Sequence, residues 1–370
     1  TRSQQQVRRP PVRFDARRDG SRTLTPERLL SVTRAPTGGV PAGDRRSTRR
    51  AWFRDGVASA AATAATLFPH PASAASAAAG AILVTGANSG IGKAVAEQLA
   101  CRGYQVVLGC RSVAKAEAAA AALRTAHAEA AILCPQSPLD LADLASVTAF
   151  AAEVRAALPA LGGLVLCAGI DGAPETRTAQ GNELHMGVNH LGHMLLAAEL
   201  TGLLRRHPTP ARVLSVTSSA ALDAAPQFFD DLGWQKNKYD RRQAYCVSKA
   251  CNVLFADHLA VREGGRVLAA AVDPGPTVTQ IVRYELPQRA QQRQGMSTEQ
   301  LARQAKQLGY RTPDQAGDVV ASLLGERAAP EFTSGGLYLG VLSPPGQPGP
   351  LITEPIPWRT PARAAKVWEN

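Results

Sequence analysis

From Ala81 onward the chain alternates between short runs of consecutive apolar residues and longer stretches in which apolar positions recur every three or four residues. The runs at 81–85, 104–109, 131–134, 162–167, 212–217, 266–272 and 336–340 predict strands. The stretches at 91–102, 113–127, 142–157, 183–206, 243–262 and 313–325 predict amphipathic helices. Alternation of this kind implies a parallel sheet covered by helices on both faces. Right-handed crossovers then make it an α/β, doubly wound sheet in three αβα layers. No repeat beyond this alternation is visible.

Residues 1–80 follow another pattern. The stretch 1–56 is rich in Arg, Ser, Thr and Pro and shows neither helical nor strand periodicity. Such an acid-poor composition fits an organellar transit peptide. Within Thr48-Arg49-Arg50-Ala51-Trp52-Phe53-Arg54 lies a twin-arginine pattern. A weakly apolar run from Val57 to Phe68 and the small residues Ala72-Ser73-Ala74 follow it, in the order of a signal peptide. The expectation is a targeting segment over 1–80 directed to the plastid (chloroplast), with the twin-arginine signal pointing to the thylakoid lumen. That apolar run is too short to span a bilayer, which takes about 20 residues.

Charge sharpens this division. Residues 1–80 hold 14 Arg and 5 acids, a balance of +9, which leaves 27 basic and 25 acidic residues, or +2, for 81–370. A nucleic-acid binder would spread its basic patch over the folded domain, so no nucleic-acid partner is expected. The six cysteines form no CxxC pair and have no histidine at ligand spacing, so no metal site is expected either.

The turn after the first strand reads Thr85-Gly86-Ala87-Asn88-Ser89-Gly90-Ile91-Gly92. Between a strand and a helix, such glycines allow a tight turn, close approach of a pyrophosphate, and close packing of helix on strand. The helix N-terminus adds free N–H groups and the positive end of its dipole. The second strand ends Leu108-Gly109-Cys110-Arg111, where a site for NAD would carry an acid. Arg111 suits a 2′-phosphate instead, and Lys93 offers a second charge. The expected cofactor is therefore NADP(H).

Further along stand Asp140-Leu141 after the third strand and Cys167-Ala168-Gly169 after the fourth. Asn189 follows within Gly187-Val188-Asn189-His190-Leu191-Gly192-His193, then Ser218 after the fifth strand, Tyr245-Cys246-Val247-Ser248-Lys249, and Pro274-Gly275 after the sixth. With these motifs in this order, the chain over about 81–345 resembles the short-chain dehydrogenase/reductase family, in its retinol-dehydrogenase-like branch, which is related to the protochlorophyllide reductases. The resemblance implies a Rossmann-type domain over 81–345, with a substrate lid at 276–312 and a C-terminal tail at 346–370. It implies a carbonyl–alcohol oxidoreductase whose substrate is a lipophilic small molecule, with peripheral membrane association as a further expectation. It also implies cofactor contacts from Gly86, Asn88, Ser89, Gly90, Ile91, Gly92, Arg111, Asp140, Leu141, Ala168, Gly169, Asn189, Tyr245, Lys249, Pro274, Gly275 and Thr277, with Thr279 as a further candidate.

The chemistry has a physical rationale. A free tyrosine has a pKa near 10, and a nearby ammonium favours the phenolate. The i, i+4 spacing puts Tyr245 and Lys249 on one helix face. Tyr245 is then the general acid or base, and Lys249 its tuner and a ribose ligand. Ser218, favoured over Ser219 by the family register, would steady charge on the substrate oxygen. Asn189 resembles the family residue that holds a water in the proton relay. Two positions depart from the family: Cys167 stands for the usual Asn of its turn, and Asp273 precedes Pro274 where the branch often has His. Two alternative readings share the motifs: a light-dependent protochlorophyllide reductase, and a catalytically quiet NADPH-sensing regulatory subunit of the plastid.

Overall fold

The computed structural model describes residues 80–277, 279, 281, 309–324, 332–340, 351–352 and 355–369. All but the last residue of the expected targeting segment at 1–80, and most of the expected lid at 276–312, lie outside the described residues. Seven strands form one parallel sheet: β1 (Ala81–Thr85), β2 (Gln105–Gly109), β3 (Ile132–Leu133), β4 (Gly163–Leu166), β5 (Ala211–Val216), β6 (Val267–Asp273) and β7 (Gly336–Leu339). Their spatial order is β3-β2-β1-β4-β5-β6-β7. The order reverses between β1 and β4, and in such sheets the crevice beyond the C-terminal strand ends at that point is where ligands bind.

Alternation within β1 explains how one strand serves two cores. Ile82 and Val84 point to one face of the sheet, and Ala81 and Leu83 to the other. On the first face lie α1 (Gly90–Cys101), α2 (Val113–Ala126) and α6 (Pro313–Ser322), through residues such as Val95, Leu99, Ala120, Leu123, Val319 and Val320. On the second lie α3 (Leu144–Ala157), α4 (Gly192–Arg205) and part of α5 (Arg241–Glu263), through Phe150, Val154, Leu196, Leu200 and Phe255. At about 25 cal/mol per Å² of apolar area removed from water, these two layers are the main stabilising term. A third apolar cluster joins α5 to Trp358 and to α7 (Pro361–Glu369), which buries Ala364 and Val367. Arg359 fixes this end of the chain with two hydrogen bonds to Asp257 on α5, each 2.8 Å. The described residues of the stretch 346–370 therefore pack on the domain.

The element boundaries follow local chemistry. Ser112, Asp143, Asp240 and Thr312 each accept a backbone N–H in the first turn of α2, α3, α5 and α6, the usual way to satisfy orphan donors there. Gly264, in the left-handed region, stops α5. One predicted helix needs correction. The stretch 183–206 is not a single α-helix: residues Met186–Leu191 form a π-helical turn, and the α-helix begins at Gly192. Such wide turns break the 3.6-residue period and often mark functional sites. This one carries Asn189. Among the described residues, no helix is long and apolar enough to cross a membrane.

Candidate active site

A cleft of about 590 Å³ opens beyond β1 and β4. Of the expected cofactor contacts, Gly86, Asn88, Ser89, Gly90, Ile91, Gly92, Arg111, Asp140, Leu141, Ala168 and Gly169 line it. The helix that meets it is prepared for an anion. Ser89 precedes α1 in extended backbone, and its side chain makes no cap hydrogen bond. The first-turn N–H groups of α1 thus lack the side-chain acceptor found at α2, α3, α5 and α6, while the dipole favours negative charge there. A Cβ on Gly92 would lie 2.5 Å from the carbonyl oxygen of Gly86, so only glycine lets α1 come this close to the loop. Gly90 has φ +54° and faces Thr279, whose Cγ2 would be 3.3 Å from a Cβ there. These features fit a dinucleotide whose phosphates rest on the start of α1.

At the β2 end, Arg111 is exposed on the cleft wall with Ser112 and Lys115 beside it. Lys115, which sequence reasoning missed, lies in the first turn of α2 and brings a second charge to this wall. Lys93, expected as the second charge, is exposed and is not among the lining residues. Thr279 lines the cleft, whereas Thr277 turns its hydroxyl to the Gly275 carbonyl at 2.8 Å. Pro274 and Gly275 are buried beside the lining rather than on it. Arg311, itself buried, donates to the Pro274 carbonyl at 2.9 Å and packs where a Cβ on Gly275 would sit.

The turn after β4 keeps its shape although Cys167 has no amide to offer. Thr85 Oγ1 accepts from the N–H groups of Cys167 and Ala168, at 2.8 and 2.9 Å. Its own proton goes to His193 Nε2 at 2.9 Å, and His193 Nδ1–H donates to the Asn189 carbonyl at 3.0 Å. Burial lowers His193 to about 3, which holds it neutral as this arrangement requires. Burial pushes the Cys167 thiol up to about 12. Sequence reasoning missed Thr85 and His193, although His193 stands one turn after Asn189.

Asn189, Ser218, Tyr245 and Lys249 gather at the inner end of this turn without lining the cleft itself. Asn189 is fully buried and its amide is committed. Oδ1 accepts from Ile170 N–H at 2.8 Å, and Nδ2 donates to the Ile170 carbonyl at 3.0 Å and to Ser248 Oγ at 2.9 Å. A Cβ on Gly169 would lie 3.2 Å from Asn189 Oδ1 and 3.4 Å from Lys249 Nζ. Lys249 donates to the Val216 carbonyl at 3.1 Å, and its Nζ stands 5.9 Å from the centre of the Tyr245 ring. Ser218 hydrogen bonds to Tyr245 and also accepts from Ala220 N–H at 3.2 Å, opening a short 3₁₀ turn.

The electrostatics differ from the expectation that Lys249 pulls the Tyr245 pKa down. Burial, then the negative charge of Asp171, raise Tyr245 above its ordinary 10, and the Ser218 hydrogen bond only partly opposes them. Burial also lowers Lys249 to about 8, which Asp171 and Asp273 moderate by attracting the ammonium. Desolvation therefore outweighs the helix spacing.

The comparisons agree with this geometry. Residues 80–230 match the model of the short chain dehydrogenase family, a stretch that carries the glycine loop, Asn189 and Ser218 and stops short of Tyr245. Human retinol dehydrogenase 12 is 43% identical over 204 residues, which are 55% of this chain and 63% of that protein. Human retinol dehydrogenase 13 is 39% identical over 208 residues, 55% of this chain and 60% of that protein. The chain thus spans under two thirds of the length of these relatives. Among solved structures, L-sorbose reductase from Gluconobacter frateurii, complexed with NADPH and L-sorbose, is similar with a TM-score of 0.55 at 21% identity, over 70% of this chain and 94% of that one. An uncharacterised protein from Mycobacterium paratuberculosis is similar with a TM-score of 0.58 at 26% identity, over 78% and 91%. The sheet order, the glycine turn after β1 and the match over 80–230 agree: over that stretch this chain is similar to the short chain dehydrogenase family, and over 55% of its length to retinol dehydrogenases.

Proposed function

We propose that this chain is an NADP(H)-dependent oxidoreductase that interconverts a carbonyl and an alcohol on a small molecule. The observation that carries the reading is the convergence of Ser218, Tyr245 and Lys249 beside a glycine cradle whose far wall holds Arg111 and Lys115. NADP(H), when bound, supplies or accepts the hydride. Gly86, Ser89, Gly90 and the start of α1 would hold its pyrophosphate, and Arg111, Ser112 and Lys115 its 2′-phosphate. An acid at the end of β2, which a 2′-hydroxyl would need, is missing.

Tyr245 holds the proton that moves. Raised above its ordinary pKa, it stays protonated at neutral pH and is a donor to the oxygen of a carbonyl being reduced. In the other direction its deprotonation draws on Lys249, an ammonium below about pH 8. Ser218 steadies the same oxygen while charge builds on it. Asn189 acts through structure, by fixing Ile170 and Ser248. The names of the relatives, retinol dehydrogenases, favour a substrate with a lipophilic body. The basic stretch 1–56 favours delivery to the plastid, which a fusion of residues 1–80 to a fluorescent protein checks.

Tyr245→Phe tests the mechanism, because it removes one hydroxyl and leaves the ring packing. Turnover should fall about 10²–10⁴-fold, the usual contribution of general acid–base catalysis, with NADPH affinity retained. Wild-type turnover in the variant would refute the role of Tyr245.

A further inference from the structure

The loop Ile170–Ala173 is pinned at both ends. Asn189 takes both backbone groups of Ile170, at 2.8 and 3.0 Å. Ala173 N–H donates to His185 Nε2 at 3.2 Å, which leaves the ring proton of His185 on Nδ1, where it donates to Glu183 Oε1 at 2.8 Å. Glu183 is buried and accepts three further hydrogen bonds, from His185 N–H at 3.0 Å, Met186 N–H at 2.7 Å and the Tyr239 hydroxyl at 3.0 Å. Burial alone would raise the pKa of this carboxyl, but its hydrogen bonds, led by that from His185, hold it below the ordinary value, so it stays an anchor. The His185 ring also meets Tyr245 edge-on, with centroids 6.3 Å apart. The loop is thus braced against the candidate catalytic tyrosine at one end, and against Asn189 and Lys249 at the other.

Asp171 sits in the middle of this braced loop. It is half-buried, and among the described residues its carboxylate has neither a hydrogen bond nor an ion pair, although its charge is felt by Tyr245, Lys249 and Arg242. Both cations are engaged elsewhere, Arg242 with Asp223 at 2.9 Å and Lys249 with the Val216 carbonyl. Hydrogen bonds at Ile170 and Ala173 hold Asp171 in this loop, where the partly accessible residue can accept a donor from a bound molecule. The geometry points to Asp171 as a specificity-determining residue that accepts a hydrogen bond from a hydroxyl or ammonium group beside the reacting carbonyl. The chain would then prefer hydroxy- or amino-substituted carbonyl compounds to plain ones. This rests on the oxidoreductase reading and adds a polar requirement to the substrate.

The test measures kcat/KM by NADPH absorbance for α-hydroxy ketones, α-amino ketones and unsubstituted ketones of matched chain length. The full chain, Asp171→Asn and Asp171→Leu are compared, with NADPH affinity and melting temperature checked for each. The wild type should favour the substituted members on the order of ten- to a hundredfold, the range of one hydrogen bond to a charged group. Asp171→Leu should abolish the preference, and Asp171→Asn should lose it for amines while keeping part of it for hydroxyls, both with wild-type NADPH affinity. Turnover of all members without preference in the wild type, or a preference surviving in Asp171→Leu, overturns the role of Asp171 alone. NADPH binding with no turnover of any member overturns the oxidoreductase reading and this inference together.

Discussion

Gly92→Ala probes the cradle by adding one methyl group. Its Cβ would sit 2.5 Å from the Gly86 carbonyl oxygen, 2.8 Å from the Gly86 carbonyl carbon and 3.0 Å from the Thr85 carbonyl oxygen. Ordinary contact begins at 3.4 Å, so the loop must retreat by up to 0.9 Å, and the atoms in the way are backbone rather than a flexible side chain. Overpacking of this kind costs about 1–3 kcal/mol of stability. The same retreat moves the N–H groups that would hold the pyrophosphate. A charge-assisted hydrogen bond contributes roughly 1.5–3 kcal/mol, so misplacing one should weaken NADPH by about ten- to a hundredfold.

The assay is a fluorescence titration of NADPH beside a thermal melt. Gly202→Ala is the control. Gly202 lies inside α4 with nothing within 4 Å of an added Cβ, and alanine there should add about 0.5–1 kcal/mol of stability with no change in NADPH affinity. If Gly92→Ala bound NADPH like the wild type, the glycine loop would not be the pyrophosphate cradle.

Other outcomes follow from the same geometry. Arg111→Ala should weaken NADPH by about ten- to a hundredfold while leaving NADH nearly unchanged, and Lys115→Ala should act in the same direction more weakly; equal losses for both cofactors in parallel titrations would dissociate these residues from the 2′-phosphate. Asn189→Ala strands the Ile170 N–H and carbonyl in the interior and should cost about 2–4 kcal/mol by denaturant unfolding. Lys249 carries a signature in pH. Its folded value of about 8 lies below the ordinary 10.5, so between these limits the unfolded chain holds the extra proton and stability from this group rises with pH. The unfolding free energy of the wild type should therefore gain on that of Lys249→Met across this window, and a flat or falling difference would place Lys249 in a wetter site than the structure has.

Much of the fold was legible because apolar runs and helical periodicity are local. The seven strands fall within a residue or two of the predicted runs, and α1, α2 and α3 are nearly as close. Legibility failed where a tertiary contact decides the backbone. The π-turn at Met186–Leu191 has no periodic signal of its own, and it directs the Asn189 amide onto Ile170. Glu183, His185 and Tyr239 look unrelated in sequence, and only the fold brings them to one buried carboxylate. The two basic candidates near the cleft show the same limit. Lys93 is next to Gly92 in the chain but lies off the lining, whereas Lys115 reaches the cleft because α2 starts beside Arg111. The direction in which each helix leaves the sheet, rather than distance along the chain, decides which of them lines the cleft.

Tyr245 and Lys249 show the same limit in their electrostatics. The spacing of Tyr245 and Lys249 places both on one face of α5, and spacing alone implies that the ammonium lowers the phenol pKa. Spacing says nothing about how dry that face is. Both side chains are buried, and loss of water acts on the two groups in opposite senses. It raises the tyrosine, lowers the lysine, and so moves both toward their neutral forms. Burial is the largest cause for both groups, and Asp171 and Asp273, which a motif search does not weigh, add to it for Tyr245 and oppose it for Lys249. A tyrosine poised this way is a proton donor first. On the proposed oxidoreductase reading, proton donation to a carbonyl oxygen is then the favoured direction, and the role proposed for Asp171 would link that bias to the choice of substrate.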